Sequence, residues 1–237
     1  MKIAIIGSGI SGLTAAYVLS RRNDITIFEK NDYIGGHTHT HDVEENGVTV
    51  SVDSGFIVYN ERTYPNFIKL LKKLDVPSQL TRMGFSVKSN INNLEYAGHS
   101  LDGLFAQRIN LFRPSFLKIL YGMTRFNTEA RKDLPYLSPE TTLGEYLDIN
   151  NYPKEFIGNF IIPIGAAIWS TAADDMLNIS AIFFIRFFDN HGLLQIIDRP
   201  KWYVIKGGSK NYVKKMIASF QESIKLSTPV KKVKRSS

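Results

Sequence analysis

An apolar run from Ile3 to Ile6 breaks into glycines at Gly7, Gly9 and Gly12, and from Leu13 to Ser20 the chain resumes as an alanine- and leucine-rich stretch. That pattern predicts a buried strand, a tight turn and a helix. A second strand, "DITIFEK", follows on the same schedule. Beyond it the period changes: "NFIKLLKKLDV" and "PSFLKILYGMTRFNTEARKDL" place charged residues between apolar ones at helical spacing. Thr142 and Glu145 in "TTLGEYL" stand three apart, the spacing of a capping box that starts another helix. "MGFSVKS" and "LEYAG" read as strands, and "YVIKGGSKNYVKKMIASFQESIKLSTPVKKVKR" as strand, turn at Gly207–Gly208, helix and strand. The order predicts an α/β fold with a Rossmann-like parallel sheet built on a βαβ unit. Residues 1–60 and 201–237 form its nucleotide-binding domain, and residues 61–200 form a mainly helical insertion with some strand, suited to a substrate or cap domain.

The glycine turn carries chemistry. Gly7 permits the turn, Gly9 lets backbone approach a pyrophosphate, and Gly12 lets helix and strand pack closely, while the helix N-terminus offers free N–H groups to phosphate. Ser8, Ile10 and Ser11 share the loop and are candidate contacts with the glycines. Glu29 lies seventeen positions after Gly12, near the end of the second strand, where a carboxylate accepts hydrogen bonds from a ribose 2′-hydroxyl. An acid there disfavours a 2′-phosphate, and Lys30 beside it completes the candidate set.

"EKNDYIGGHTHT" then adds a second glycine pair, Gly35 and Gly36. Here the chain resembles the flavin-containing amine oxidase superfamily, whose pattern is an acidic residue, a short spacer and Gly-Gly-Arg-x-x-T/S. The resemblance implies FAD, with Gly35, Gly36, His37 and Thr38 along its pyrophosphate and flavin. His37 stands where the family has arginine, and reads either as a weaker phosphate contact or as a surface histidine. "VTVSVDSGFIVYN" resembles the family's Asp-x-Gly-x-x-[WYF]-[IV] segment, which implies that Asp53, Ser54, Gly55 and Phe56 pass close to the isoalloxazine. On this reading a strand ends at Asp53–Gly55 and continues over Phe56–Tyr59; an ordinary hairpin turn is the plainer alternative. At the end of the chain, Val230 matches the valine that lies against the adenine.

"NDYIGGHTHT", "DSGFIVYN", "TYPNFIKLL", "NHGLL" and "RPKWYVIKGGS" together resemble a bacterial subgroup of amine-oxidase-like proteins associated with cyclopropane and modified fatty-acid metabolism. The resemblance implies an FAD-dependent oxidoreductase that moves hydride from a substrate C–H bond, of an amine or an acyl lipid, to flavin. Family members continue past the last strand, so it also implies a fold incomplete at the C-terminus. The rest of the substrate domain and a lysine near the flavin N5 would come from a further region or a complementing chain. Lys206 does not match that lysine, and no residue is assigned as catalytic. A non-catalytic nucleotide-binding fragment or subunit and a redox-neutral isomerase or mutase are the alternatives. An uncovered sheet edge predicts poor solubility for this chain alone.

Composition narrows the classes further. With 237 residues, 43% of them hydrophobic, the chain is globular and large enough for one or two domains. Of its net charge of +7, four charges come from Lys231, Lys232, Lys234 and Arg235, and no motif supports nucleic-acid binding. Absence of cysteine excludes disulfides, thiolate metal sites and a cysteine nucleophile. His37, His39 and His41 alternate and would share a strand face, but no metal is expected, and His99 and His191 are isolated. The N-terminus lacks the layout of a signal peptide, so the cytoplasm is the expected location. From Phe156 to Ala173 the sequence has no charge over 18 positions, yet Asn159, Pro163 and its glycines should break a helix there. A buried cavity wall, not a stable span, is expected, with peripheral membrane contact left open. The aromatics from Phe105 to Phe188 are expected mostly in the core, walling a cavity for an apolar small molecule such as an acyl chain or a terpenoid.

Overall fold

The structure is a computed structural model that describes residues 1–98, 100–169, 171–195 and 199–235, so His99 and Ser170 lie outside the described residues. The chain begins as expected with β1 (Lys2–Ile6), α1 (Ile10–Leu19) and β2 (Asp24–Phe28), the two strands pairing in parallel from Lys2↔Asp24 to Ile6↔Phe28. A hairpin follows, β3 (Thr40–Glu45) and β4 (Val48–Asp53), joined at Asn46 and Gly47, which both take positive φ (52° and 76°). That is the backbone demand an Asn-Gly turn meets at low cost. After Asp53 the chain does not continue as a strand, because residues 54–56 fold back on the preceding loop through Ser54 N–H to His39 O (3.0 Å) and Phe56 N–H to His37 O (2.9 Å). Only Tyr59–Asn60 forms β5, followed by α2 (Pro65–Lys73) and β6 (Ser78–Thr81).

The second unit, Arg82–Pro200, has its own core. It begins with a hairpin, β7 (Ser86–Ser89) and β8 (Leu94–Ala97), then the short α3 (Leu101–Leu104) and a 3₁₀ turn over Arg108–Phe112. The long α4 (Pro114–Asp133) buries Phe116, Ile119, Phe126 and Ala130 along one stripe. α5 (Leu143–Ile149) starts at the capping box read from the sequence: Glu145 N–H donates to Thr142 Oγ1 (3.2 Å) and Thr142 N–H to Glu145 Oε2 (2.9 Å). Thr142→Ala is expected to lower stability by about 1 kcal/mol, read as a lower urea midpoint at unchanged slope.

The charge-free stretch stays helical as far as Trp169. α6 (Lys154–Phe156), a π-helical turn over Ile157–Ile161 and α7 (Ile162–Trp169) run on without interruption. Pro163 stands second in α7, directly after the widened turn, where the altered hydrogen-bond pattern absorbs its missing N–H. No helix among the described residues is long and apolar enough to cross a membrane. With α8 (Ala181–Asn190) these helices enclose Phe126, Tyr146, Tyr152, Phe156, Phe184 and Phe188, all buried. Phe112, Tyr121 and Phe183, expected with them in the core, are exposed.

The chain then returns to the first unit through β9 (Trp202–Ile205), α9 (Lys210–Ile217) and β10 (Ile224–Lys225). β9 is the middle strand between β5 and β6, and β10 adds in parallel beside β2. The first unit therefore reaches Thr81 and not residue 60, because β6 pairs with β9 and Leu71, Leu74 and Val76 join the core of Ile5, Leu13, Ile25 and Ile27. The last strand is also shorter than expected. Ser227 takes positive φ (49°) and Pro229 follows, so the chain leaves the sheet and Val230 lies outside any strand.

Candidate functional site

The glycine turn sits at the C-terminal end of β1, where α1 begins. A Cβ on Gly12 would fall on the Gly7 carbonyl oxygen, so glycine there is what lets α1 lie against the strand. Gly9, by contrast, faces open space, with nothing within 4 Å of the position a Cβ would take. It is the N-cap of α1 and supplies no side-chain hydrogen bond. The first-turn N–H groups of Ile10, Ser11 and Gly12 have no partner within the helix, as at any helix start, and they open on that space with the positive end of the helix dipole.

Glu29 lies at the neighbouring strand end, 4% exposed. Its Oε2 accepts from Ser8 N–H (2.7 Å) and Ser8 Oγ (2.6 Å), and its Oε1 from Asn31 N–H (2.9 Å). Burial by itself favours the protonated acid, but the Ser8 hydroxyl and the N–H groups of Asn31, Ser8 and Lys30 outweigh it, and the carboxyl is held below its ordinary value of 4.5. A buried, ionised acceptor therefore stands beside the glycine turn. Ser8 also ties the second glycine segment to the first, since Gly35 N–H donates to Ser8 O (3.1 Å).

Two cavities meet at Ile6, Gly7, Gly36 and His37. One, of about 480 Å³, is lined further by Phe28, Glu29, Lys30, Asn31, Tyr33, Pro229 and Val230. Val230 comes there because Thr228 N–H donates to Glu29 O (2.7 Å) and Ser227 N–H to Asn31 O (2.9 Å), which draws the chain after β10 along the loop after β2. The other, of about 560 Å³, is lined by Gly9, Ile10, Ser11, Gly12, Gly35 and Thr38, and by the aromatic wall of Phe56, Tyr64, Phe67 and Tyr212. Tyr212 and Thr38 share a buried hydrogen bond (2.5 Å), and burial pushes the Tyr212 phenol above its ordinary value, so it stays neutral. A polar, anion-accepting turn flanked by a carboxylate on one side and an aromatic wall on the other fits an extended dinucleotide.

Comparison with known proteins supplies the decisive observation. The family model for flavin containing amine oxidoreductase matches residues 10–237. The chain belongs to this family.

Among individual relatives, tryptophan 2-monooxygenase of Allorhizobium ampelinum is 52% identical over 42 residues, 17% of this chain and 6% of that protein. A 4,4′-diapophytoene desaturase of Staphylococcus aureus is 33% identical over 81 residues, 30% of this chain and 16% of that one. Among solved structures, wild-type putrescine oxidase bound to putrescine aligns with a TM-score of 0.62 at 18% identity, and cyclohexylamine oxidase of Brevibacterium oxydans with 0.63 at 20%. Each alignment covers 96% of this chain and 51% of the other, so the chain spans about half the length of the structures it matches. At these identities the likeness is one of fold.

The cofactor of this flavin-containing family is FAD. Not every residue read as a flavin contact faces the cavities in this member of it. Asp53 turns away: its carboxylate accepts from Ser209 N–H (3.0 and 3.1 Å), Ser209 Oγ (2.7 Å) and Thr40 Oγ1 (2.5 Å), capping the start of α9 from the far end of the β3–β4 hairpin. The unpaired amides of a helix start attract a carboxylate more strongly than solvent does, and the fold brings one to them. Asp53→Ala is expected to cost about 1–2 kcal/mol, seen as a lower denaturation midpoint. Ser54 packs beside His41 (Oγ to Nε2, 3.2 Å), and Gly55 lies against the His37 carbonyl. His37, His39 and His41 do not share a strand face, since β3 begins only at Thr40; His39 stacks on Tyr33 (4.1 Å) and tilts against His41 (4.2 Å). Among the described residues no group of three His, Asp or Glu side chains could hold a metal ion. The sequence reading passed over Asn31, Tyr64, Phe67 and Tyr212. For Tyr212 a signal existed, because the helix after Gly207–Gly208 buries Tyr212, Val213, Met216 and Ile217 on one face.

Proposed function

We propose that this chain holds FAD across the glycine turn as part of an oxidoreductase acting at a C–H bond of a small apolar substrate, an amine or an acyl lipid. The observation that carries the reading is the junction of the two cavities at Gly7 and Gly36, with the Glu29 carboxylate on one side and the start of α1 on the other. When bound, FAD supplies the acceptor for a hydride. Glu29, fixed by Ser8 and Asn31, would accept the ribose hydroxyls, with Lys30 and Val230 beside it. The N–H groups of Ile10, Ser11 and Gly12, together with Gly35, Gly36, His37 and Thr38, would take the pyrophosphate. Phe56, Tyr64, Phe67 and Tyr212 exclude water from the far end, and the Tyr212–Thr38 pair keeps a neutral phenol there. No described residue is assigned a proton-transfer role. A second reading is FAD binding without turnover by residues 1–237 alone, which span about half the length of the structures they match. Completion by a further polypeptide region and a cytoplasmic location belong to either reading.

The test is the visible spectrum of the 237-residue chain after incubation with FAD and removal of free flavin. Retained, shifted flavin bands are expected. A colourless protein that also leaves the fluorescence of free FAD unchanged overturns the reading. Anaerobic bleaching of the retained bands by an amine or an acyl lipid then separates turnover from binding alone.

A further inference from the structure

On the aromatic side of the second cavity, Tyr212 and Thr38 stand together. Tyr212 is 1% exposed and Thr38 6%, both line the cavity, and their hydroxyls share one hydrogen bond of 2.5 Å. Both side chains are held in place. The Tyr212 ring meets Phe67 edge to face (5.3 Å, 81°), and Tyr212 belongs to the face of α9 that carries Val213, Met216 and Ile217 into the core. Thr38 is fixed by its own N–H, which donates to Gly35 O (3.0 Å) and closes a turn so tight that a Cβ on Gly35 would fall on the Thr38 carbonyl oxygen. Burial keeps the phenol protonated, so both hydroxyls carry their hydrogens.

Two hydroxyls bring two hydrogens, and one bond between them uses only one. Among the described residues neither oxygen has a further hydrogen-bond partner, so whichever donates, one O–H is left over in the buried wall of the cavity. A buried donor without an acceptor is costly, and native folds keep few of them. The phenol is the stronger donor and the aliphatic hydroxyl oxygen the better acceptor, so Tyr212 donates to Thr38 and the Thr38 hydrogen is the one left over. We propose that the two residues act as a single donor, Tyr212 fixing the Thr38 hydroxyl so that its hydrogen meets a pyrophosphate oxygen of the bound dinucleotide. This rests on the FAD reading above and adds to it a positioning residue, Tyr212, that acts through Thr38. A phosphoryl oxygen is selected because the same cavity is lined by Ile10, Ser11 and Gly12 at the positive end of α1, where an anion is favoured. Donation to a charged oxygen is the stronger kind, and a linked pair of hydroxyls strengthens it.

The experiment measures the affinity of the 237-residue chain for FAD and for ADP by calorimetry, with Thr38→Val, Tyr212→Phe, the two together and Thr38→Ser, alongside melting temperatures without ligand. ADP carries the pyrophosphate but no flavin. Thr38→Val should lose about tenfold or more in affinity for both ligands, Tyr212→Phe about threefold to tenfold, and the double substitution no more than Thr38→Val, because Tyr212 acts only through the Thr38 hydroxyl. Thr38→Ser should keep the affinity of the unaltered chain. The double substitution removes both partners of the buried bond at once and leaves no orphaned hydroxyl, so it stays folded and decides the matter if either single one melts early. The inference is overturned if the double substitution binds FAD as tightly as the unaltered chain, or if Tyr212→Phe weakens binding equally whether or not position 38 keeps its hydroxyl. It is also overturned if affinity falls for FAD and not for ADP, which would put the acceptor on the flavin half of the molecule. In each of these outcomes the unaltered chain still binds FAD and the reading of the site stands; failure of the unaltered chain to bind either ligand overturns both.

Discussion

Gly12→Ala is expected to give a chain that has lost FAD binding and a large part of its stability. The added methyl would fall on the Gly7 carbonyl oxygen, with Ile5 Cγ2 3.3 Å away. Backbone cannot swing aside as a flexible side chain can, so α1 must lift off β1 at a cost of about 3 kcal/mol. Lifting the helix also moves the N–H groups of Ile10 and Ser11, and FAD affinity should fall roughly a hundredfold, as a fluorescence titration would show. Gly9→Ala is the informative partner, since nothing lies within 4 Å of the new methyl. That variant should melt like the unaltered chain and still fail to retain FAD, because the methyl occupies the space offered to the phosphates. Normal retention by Gly9→Ala would show that the ligand does not lie over the turn.

Glu29→Gln should produce the next largest change. One carboxylate oxygen becomes an NH₂ group facing N–H and O–H donors from Ser8 or Asn31, and a buried donor is left without an acceptor. A loss of about 2–3 kcal/mol follows, together with weaker FAD binding. Acidification supplies an independent check. The folded-state value of Glu29 lies below its ordinary 4.5, so its contribution is complete above that value and is lost as pH falls through the lower folded value. The melting temperature of the unaltered chain should therefore decline below about pH 4.5, and the decline should be shallower in Glu29→Gln. An unchanged acid slope would mean that Glu29 is not held ionised by Ser8 and Asn31.

Much of the site was legible because its logic is local. Gly7, Gly9 and Gly12 stand at fixed offsets from one strand and one helix, and Glu29 ends the next strand, so spacing alone brings them together. The Asp53 carboxylate shows the opposite case. Its motif resembles a flavin-facing segment, but its partner Ser209 lies 156 residues away, and no local pattern announces that a helix start will need a carboxylate there. Tyr212 reached the cavity wall by the same long-range packing, through Thr38, 174 residues distant.

By itself, then, the sequence determined the βαβ start, the capping box at Thr142, a glycine turn suited to a dinucleotide and a chain that leaves the sheet and returns to it. Those features depend on periodicity, turn chemistry and short spacings, which act between near neighbours. Only the tertiary structure decided that the first unit runs on to Thr81, that Val230 reaches the cavity off any strand, that the helix from Lys154 to Trp169 stays continuous through a π turn, and that Phe112 faces outward while Phe116 is buried. Each of these turns on which distant surface reaches a backbone edge or an apolar side chain first, a competition that residue type alone does not resolve.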